Sequence, residues 1–289
     1  MKQILVFGHK NPDTDSICSA ISFAELKNAQ GVNVIPCRLG NVSKETQFAL
    51  NHFGAEAPLF IENVNADENG KKEVILVDHN EKAQTADGIE SAKILEVVDH
   101  HKFALTTDEP LKITADTVGC TCTLIYRLFK QAGITPSKKA AGLMMSAIIS
   151  DTLLFKSPTC TPEDVEAVKE LSKICGEENY EDYGMKLLIE GTSLSDKTPE
   201  EIITIDMKEF DMNGKKVAVA QVNTVDVAGL LNTQAELEAA MNSMSEKSNY
   251  DLFVLVITDI IKAGSYVLTV GTCPELSLIH ISEPTRHAQ

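Results

Sequence analysis

Short apolar runs alternate with segments of helical spacing along the first two thirds of the chain. Strand-length runs fall at 3–7, 32–36, 73–78 and 94–98, while apolar positions recur every three or four residues over 15–29, 43–53, 117–132, 138–150 and 161–175. A strand with no polar side is buried on both faces, and a helix between two such strands returns the chain to pair in parallel. The pattern therefore predicts an α/β fold with an N-terminal parallel sheet and helices on both faces. Turn-forming residues then crowd the segment from Gly191 to Pro199, which predicts a linker. Beyond it, strand-like runs at 201–206, 216–223, 252–258 and 266–271, with helix spacing over 233–247, predict a smaller α+β unit with a mixed sheet. The expected division is a first domain over 1–190, a linker over 191–199, an incomplete second domain over 200–276 and an atypical tail over 277–289. That tail, SLIHISEPTRHAQ, continues neither pattern and reads as foreign or truncated.

The residues that follow the apolar runs carry the chemistry. GHKNPDTDS at 8–16, VDHNE at 77–81, VVDHHK at 97–102 and SDT at 150–152 set Asp and His where apolar runs stop. Ligands of open parallel sheets bind outside the carboxyl ends of the strands, so these side chains are expected to converge. His9, Asp13 and Asp15 fall between the first strand and a helix beginning near Ser16, and either carboxylate alone reads as a helix cap. With His9 beside them they make a nitrogen and oxygen donor set suited to a first-row metal. Asp78 ends the apolar run Val74-Ile75-Leu76-Val77, the alternative being a turn cap with His79 exposed. Asp99-His100-His101 repeats the arrangement after Val97-Val98; in extended chain adjacent histidines point to opposite sides, so one can ligate while the other donates to a phosphate oxygen. Asp151 closes the apolar helical run 142–149, where the helix dipole disfavours an anion unless a cation compensates it. Two His with four Asp hold too much nitrogen for a dedicated Mg²⁺ or Ca²⁺ cage and lack the thiolates of structural zinc. Mn²⁺ or Co²⁺ suits them best, with Zn²⁺ allowed by affinity. A pair of such ions can clamp the attacking and leaving oxygens of a phosphate transfer, which predicts a two-metal hydrolase.

Composition acts mainly by exclusion. A net charge of -16 and a pI near 4.9 repel polyanions, so neither nucleic acid nor an anionic membrane is an expected partner. Seven cysteines without regular spacing describe no disulfide framework, and Cys18, Cys120 and Cys122 are expected as small core residues. Met1-Lys2 leads directly into ILVFG and no 18-residue apolar span follows, so the expected location is cytoplasmic.

In these four motifs, followed by SPTCT at 157–161, the chain resembles the manganese-dependent family II inorganic pyrophosphatases of the DHH phosphoesterase superfamily, from residue 1 to about 271. The resemblance implies hydrolysis of pyrophosphate to two phosphates by a two-metal-activated water, with no covalent enzyme intermediate. It implies one Mn²⁺ on His9, Asp13, Asp78 and Asp151 and a second on Asp15, Asp78, His100 and Asp151, with Co²⁺ as an alternative and further Mg²⁺ accompanying the substrate. His101 would contact substrate phosphate. Asp206-Met207-Lys208-Glu209-Phe210 is similar to the family's D-x-K-x-F segment, which would make Lys208 a second phosphate contact. No insertion separates Lys102 from Thr117, as in the unregulated branch, and a homodimer through the N-terminal domain is expected.

One departure bears on turnover. The family's basic S-R-K-K-Q segment has no counterpart: after Val270-Gly271-Thr272 the chain continues into Cys273-Pro274-Glu275 and a tail whose basic side chains are His280, Arg286 and His287. Losing one charge-stabilising donor costs about 10²–10³ in rate, so impaired hydrolysis is expected. Two other readings compete. Another DHH phosphoesterase, acting on short oligonucleotides or polyphosphate, would carry a G-G-H segment in its second domain, and none occurs between 196 and 289. A catalytically dead metal-binding protein would hold Mn²⁺ and hydrolyse no phosphate ester or anhydride.

Overall fold

The computed structural model describes residues 3–68, 70–262 and 264–271. The atypical tail and its His280, Arg286 and His287 lie outside the described residues. The chain divides into two compact units, Met1–Gly191 and Thr192–Gln289.

The first unit is built on strands β1 (Ile4–Phe7), β2 (Val34–Arg38), β3 (Leu59–Phe60), β4 (Glu73–Val77), β5 (Lys93–Asp99) and β6 (Lys112–Ala115), in the order β3-β2-β1-β4-β5-β6 with every pairing parallel. Side chains alternate across the sheet as the pleat requires. Val6, Ile75, Val77 and Val98 join the core formed with α1 (Thr14–Ala29), α2 (Lys44–His52), α3 (Thr121–Ala132), α4 (Lys138–Asp151), α5 (Pro162–Cys175) and α6 (Tyr180–Gly191). Phe7, Val74, Leu76 and Val97 turn to the other face, which is covered by short 3-10 helices at Lys82–Gln84 and Ile89–Ser91 and their loops.

The strand order fixes where a ligand can bind. From β1 the chain builds outward through β2 to β3, then returns to lay β4, β5 and β6 on the opposite side. The switch point thus lies between β1 and β4, whose register pairs Phe7 with Leu76 and sets their carboxyl ends side by side.

Helix starts are locally encoded. The Thr161 side chain accepts from Asp164 N while the Asp164 carboxylate accepts from Thr161 N, and Pro162 fills the first turn, so SPTCT ends in the N-cap of a capping box that starts α5. The helix expected from 117 begins instead at Thr121, because 112–115 forms the edge strand β6 and Gly119 N donates to Asp164 across the intervening turn.

The second unit contains α7 (Pro199–Ile202), β7 (Met207–Met212), β8 (Lys215–Thr224), α8 (Val227–Leu231), α9 (Gln234–Ser248), β9 (Leu252–Asp259) and β10 (Gly264–Gly271). Its sheet runs β10-β9-β8-β7, with β8 and β9 parallel and the outer pairs antiparallel. Ala218, Ala220, Val222, Phe253, Leu255 and Ile257 line one core with Leu237 and Met241 of α9. The expected strand at 201–206 is corrected: Thr198 and Glu201 form a second capping box around Pro199, which starts α7, and the strand begins only at Met207. No helix among the described residues is long and apolar enough to cross a membrane. Cys18, Cys120 and Cys122 are free and fully buried in the first core.

Candidate metal centre

The turn after β1 can exist only with a glycine at its start. A Cβ on Gly8 would lie 1.8 Å from Ser16 Oγ, so the bare backbone lets the first turn of α1 sit against the strand end. Asp13 then caps α1, its Oδ1 accepting from Ser16 N at 2.9 Å. His9 lies between carboxylates, with Nε2 3.4 Å from Asp13 Oδ2 and 3.5 Å from Asp78 Oδ2. Burial disfavours its imidazolium, but Asp13 and Asp78 outweigh burial and raise its pKa to about 10.

Asp15 is fully buried and works as a remote cap for another helix. Cys120, at the N-cap of α3, makes no side-chain cap bond, and Asp15 accepts from Thr121 N at 2.7 Å and Cys122 N at 3.1 Å in its place. Ser19 Oγ adds a third donor at 2.8 Å. Burial pushes this carboxyl upward, yet His100 and these hydrogen bonds prevail and its pKa is lowered.

Asp78 follows β4 with φ of +58°, a left-handed conformation that Asp tolerates better than most residues. It is 2% exposed. Its Oδ1 accepts from Thr121 Oγ1 at 3.2 Å and faces His100 Nε2 at 3.6 Å and His101 Nδ1 at 3.7 Å. Its Oδ2 is buried with no hydrogen-bond partner among the described residues. Burial, then the Asp15 charge, pushes this carboxyl up to about 6. Asp151, the last residue of α4, is raised well above the carboxylate range by burial and by Asp15, Asp13 and Asp78.

Both histidines of the 100–101 pair turn toward Asp78, with ring centroids 4.2 Å apart, because β5 ends at Asp99 and the strand alternation that would separate them ends with it. His100 is oriented by Nδ1 against Val118 O at 3.0 Å, and Asp78 and Asp15 raise it to about 9 against the effect of burial. His101 Nδ1 meets Asp99 Oδ1 at 2.9 Å, which raises its pKa.

Ligand atoms within 4.8 Å of one another therefore form overlapping groups: His9, Asp13 and Asp78; Asp15, His100 and Asp151; Asp78, His100 and His101. Asp15, Cys120 and Cys122 form a further buried group beneath them. The structure thus brings His9, Asp13, Asp15, Asp78, His100, His101 and Asp151 together at one end of the first sheet. None of these four carboxylates pairs with a Lys or Arg among the described residues, and Asp78 Oδ2, 3.5 Å from His9 Nε2, accepts no hydrogen bond among them. Crowded carboxylates are stable in such a place only when protons or a cation neutralise them. An oxygen and imidazole donor set with an unsatisfied carboxylate oxygen at its centre fits divalent manganese. Lys208 lies on β7 of the second unit, exposed, with Nζ 3.7 Å from Asp206 Oδ1.

Three supporting residues receive no role from the sequence, although it singles out Asp99 with His100 and His101. Asp99 is fully buried and accepts from Asn80 Nδ2 at 2.6 Å as well as from His101; as the last residue of an apolar strand it carried the same signal as Asp78. Asn80 sits inside VDHNE, and its role depends on a contact 19 residues away. Thr121, which donates to both Asp15 and Asp78, had no local signal. His79 is buried, not exposed: its Nδ1 lies 2.9 Å from Val77 O and burial lowers its pKa to about 4, so it is a neutral support behind Asp78.

The model of the DHH family, N-terminal domain, matches residues 3–148, and that of the DHHA2 domain matches 185–285. The chain is 52% identical over 272 residues to the manganese-dependent inorganic pyrophosphatase of Bacillus subtilis, covering 94% of this chain and 87% of the relative. A Bacillus cereus protein described as a "Probable manganese-dependent inorganic pyrophosphatase" is 51% identical over the same shares. A Methanococcus jannaschii crystal structure attributed to the family II inorganic pyrophosphatases superposes with a TM-score of 0.67 at 43% identity, covering 93% of this chain and 88% of that one. An exopolyphosphatase-related protein from Bacteroides fragilis, at 18% identity and a TM-score of 0.56, shares the fold. With both domain models matched and half its residues shared with these enzymes across nearly its whole length, the chain belongs to the DHH family, among its manganese-dependent inorganic pyrophosphatases.

Proposed function

We propose that this protein hydrolyses inorganic pyrophosphate to two phosphates. The observation that carries the reading is Asp78, whose two oxygens face His9 on one side and His100 on the other, so that one carboxylate joins both ligand groups. On the family resemblance, His9, Asp13, Asp78 and Asp151 would hold one ion and Asp15, Asp78, His100 and Asp151 the other; the group of His9, Asp13 and Asp78 and that of Asp15, His100 and Asp151 support this division. Two bound Mn²⁺ ions would supply positive charge against the phosphates and make water a stronger acid.

The chain's own residues do the rest. Asp15 is held by three donors and Asp78 by Thr121, which limits the motion of both carboxylates. Asp99 holds His101 at Nδ1 and favours its imidazolium, which leaves Nε2–H to donate to a phosphate oxygen. The residues from His9 and Asp78 to His101 and Lys102 line a cavity of about 330 Å³, and Glu81 and Gln84 complete its wall. Lys208 enters as a further phosphate ligand on the D-x-K-x-F resemblance alone. Mg²⁺ carried by the substrate, a homodimer through the first unit and a cytoplasmic location belong to the same reading.

Phosphate release from pyrophosphate, with Mn²⁺ and Mg²⁺ present, tests it against an Asp78→Ala control. Release lost in the variant supports the reading. Tight Mn²⁺ binding with no release, or cleavage of short oligonucleotides in preference to pyrophosphate, overturns it.

A further inference from the structure

Glu45 is the second residue of α2, whose N-cap Ser43 accepts from Thr46 N. An acid in the first turn of a helix ordinarily faces water and complements the helix dipole. Here the side chain turns inward. Its Oε1 accepts from Thr14 Oγ1 at 2.6 Å and from Ser150 Oγ, across 31 and 105 residues of chain. Thr14 is buried and also meets Thr46 Oγ1 at 3.1 Å, so the bond to Glu45 sits inside the first unit and not at its surface. On the other side of the carboxylate, a Cβ on Gly191 would collide with Oε2, and the bare backbone at the end of α6 closes against it.

Both donors stand next to residues of the metal centre. Thr14 is the first residue of α1, between Asp13 at its N-cap and Asp15, and Ser150 precedes Asp151 at the end of α4. We propose that Glu45 is a positioning residue of the metal centre: one carboxylate oxygen clasps the start of α1 to the end of α4 and so sets the spacing of Asp13 and Asp15 from Asp151.

The clasp answers a specific difficulty. Asp15, His100 and Asp151 bring ligand atoms within 4.8 Å of one another, and carboxylates at that range repel until a cation neutralises them. The repulsion acts between the start of α1 and the end of α4, the two places that Glu45 joins. Residues that hold metal ligands in place typically change affinity by about 10–100-fold when replaced. Glu45 acts one step further out, through Thr14 and Ser150, so the low end of that range applies. It takes this role only if Asp13, Asp15 and Asp151 are metal ligands, as proposed above, whereas turnover does not enter.

The test is the Mn²⁺ affinity of the full chain, measured by competition with a chelator. Glu45→Met fills the same space without an acceptor and should bind Mn²⁺ about tenfold more weakly. Glu45→Gln keeps an oxygen for Thr14 and Ser150 and should stay within about threefold of the wild type. A role in packing alone would make these two variants alike. Ser150→Ala removes one of the two bonds and should cost about threefold to fivefold; it carries the test if Glu45→Met shows no folded thermal transition. Combined with Glu45→Met it should cost less than about twofold more, because the bond it removes is already gone. Wild-type affinity in Glu45→Met or in Ser150→Ala, a Gln variant as weak as the Met variant, or a double variant whose loss is the product of the single losses would each overturn the proposal. Because binding is read and not turnover, a wild type that takes up Mn²⁺ but releases no phosphate would sink the hydrolysis reading alone. Unchanged affinity in Glu45→Met with phosphate release intact would sink this one alone.

Discussion

Stripping the divalent metal from this protein and returning it should move protons, and their number follows from the geometry of the centre. Without metal, His9 stands between Asp13 and Asp78 and keeps its proton up to about pH 10, and His100, against Asp78 and Asp15, keeps its own up to about 9. Both are therefore imidazolium at pH 7, whereas Asp78, pushed up to about 6, retains roughly a tenth of a proton. A ligand must be a neutral imidazole or an ionised carboxylate, so at pH 7 the two imidazoliums release about two protons per chain on loading, and any proton held by the raised Asp151 carboxyl adds to that number. Apparent affinity should rise about tenfold per pH unit for each ion, or about a hundredfold for loading the pair, from 7 to near 9. The stability of the metal-free fold runs the other way. In each case the fold holds a proton that the unfolded chain has released, between 6.5 and about 10 for His9, 6.5 and about 9 for His100, and 3.8 and about 6 for Asp78. Stability is thus highest below these windows and is lost as pH rises through them. Calorimetric titration of Mn²⁺ into chelated protein at pH 7, in buffers of unlike ionisation enthalpy, gives the proton count as the slope of heat against that enthalpy. The expected slope is at least about two, falling by about one in His9→Gln. A slope of zero would refute the reasoning, because it would mean that both imidazoles are already neutral beside their carboxylates.

Other consequences are as specific. Gly8→Ala places a methyl 1.8 Å from Ser16 Oγ and should cost about 1–3 kcal/mol, read as a lower urea midpoint at unchanged slope. Thr121→Val keeps the backbone bond to Asp15 but removes the hydroxyl donor to Asp78; Mn²⁺ affinity measured against a chelator should fall about tenfold, and an unchanged affinity would show that this hydroxyl does not position Asp78. Asp164→Ala leaves Gly119 N, Thr123 Oγ1 and the Thr161 cap without their acceptor and should destabilise the first unit by about 3 kcal/mol, with a lowered thermal midpoint as the readout.

Much of this centre was legible in the sequence because strand ends are local features. An Asp directly after Val74-Ile75-Leu76-Val77 has one place to go in a parallel sheet, and the pairing of β1 with β4 carries it to His9. The supports were less legible because they depend on distance in the fold. Thr121 meets Asp15 and Asp78 across 106 and 43 residues, and Asn80 meets Asp99 across 19, through contacts that no periodicity encodes. The misread strand at 201–206 had a local remedy: Thr198-Pro199-Glu200-Glu201 is a capping box, and its helix-start signal outweighs the β-branched run behind it. The pair His100-His101 failed for a related reason, since the rule that neighbours face opposite ways holds only while the strand lasts, and β5 ends at Asp99.

The central claim is that residues from four separate chain segments hold two ions through a shared Asp78. Manganese content per chain, together with the electron paramagnetic resonance signal of the bound ions, tests it most directly. The account predicts about two Mn²⁺ per chain with a spin-coupled spectrum, and in Asp78→Asn about one or fewer with the coupling gone. A single uncoupled Mn²⁺ in the wild type, or a count and spectrum that Asp78→Asn leaves unaltered, would contradict it.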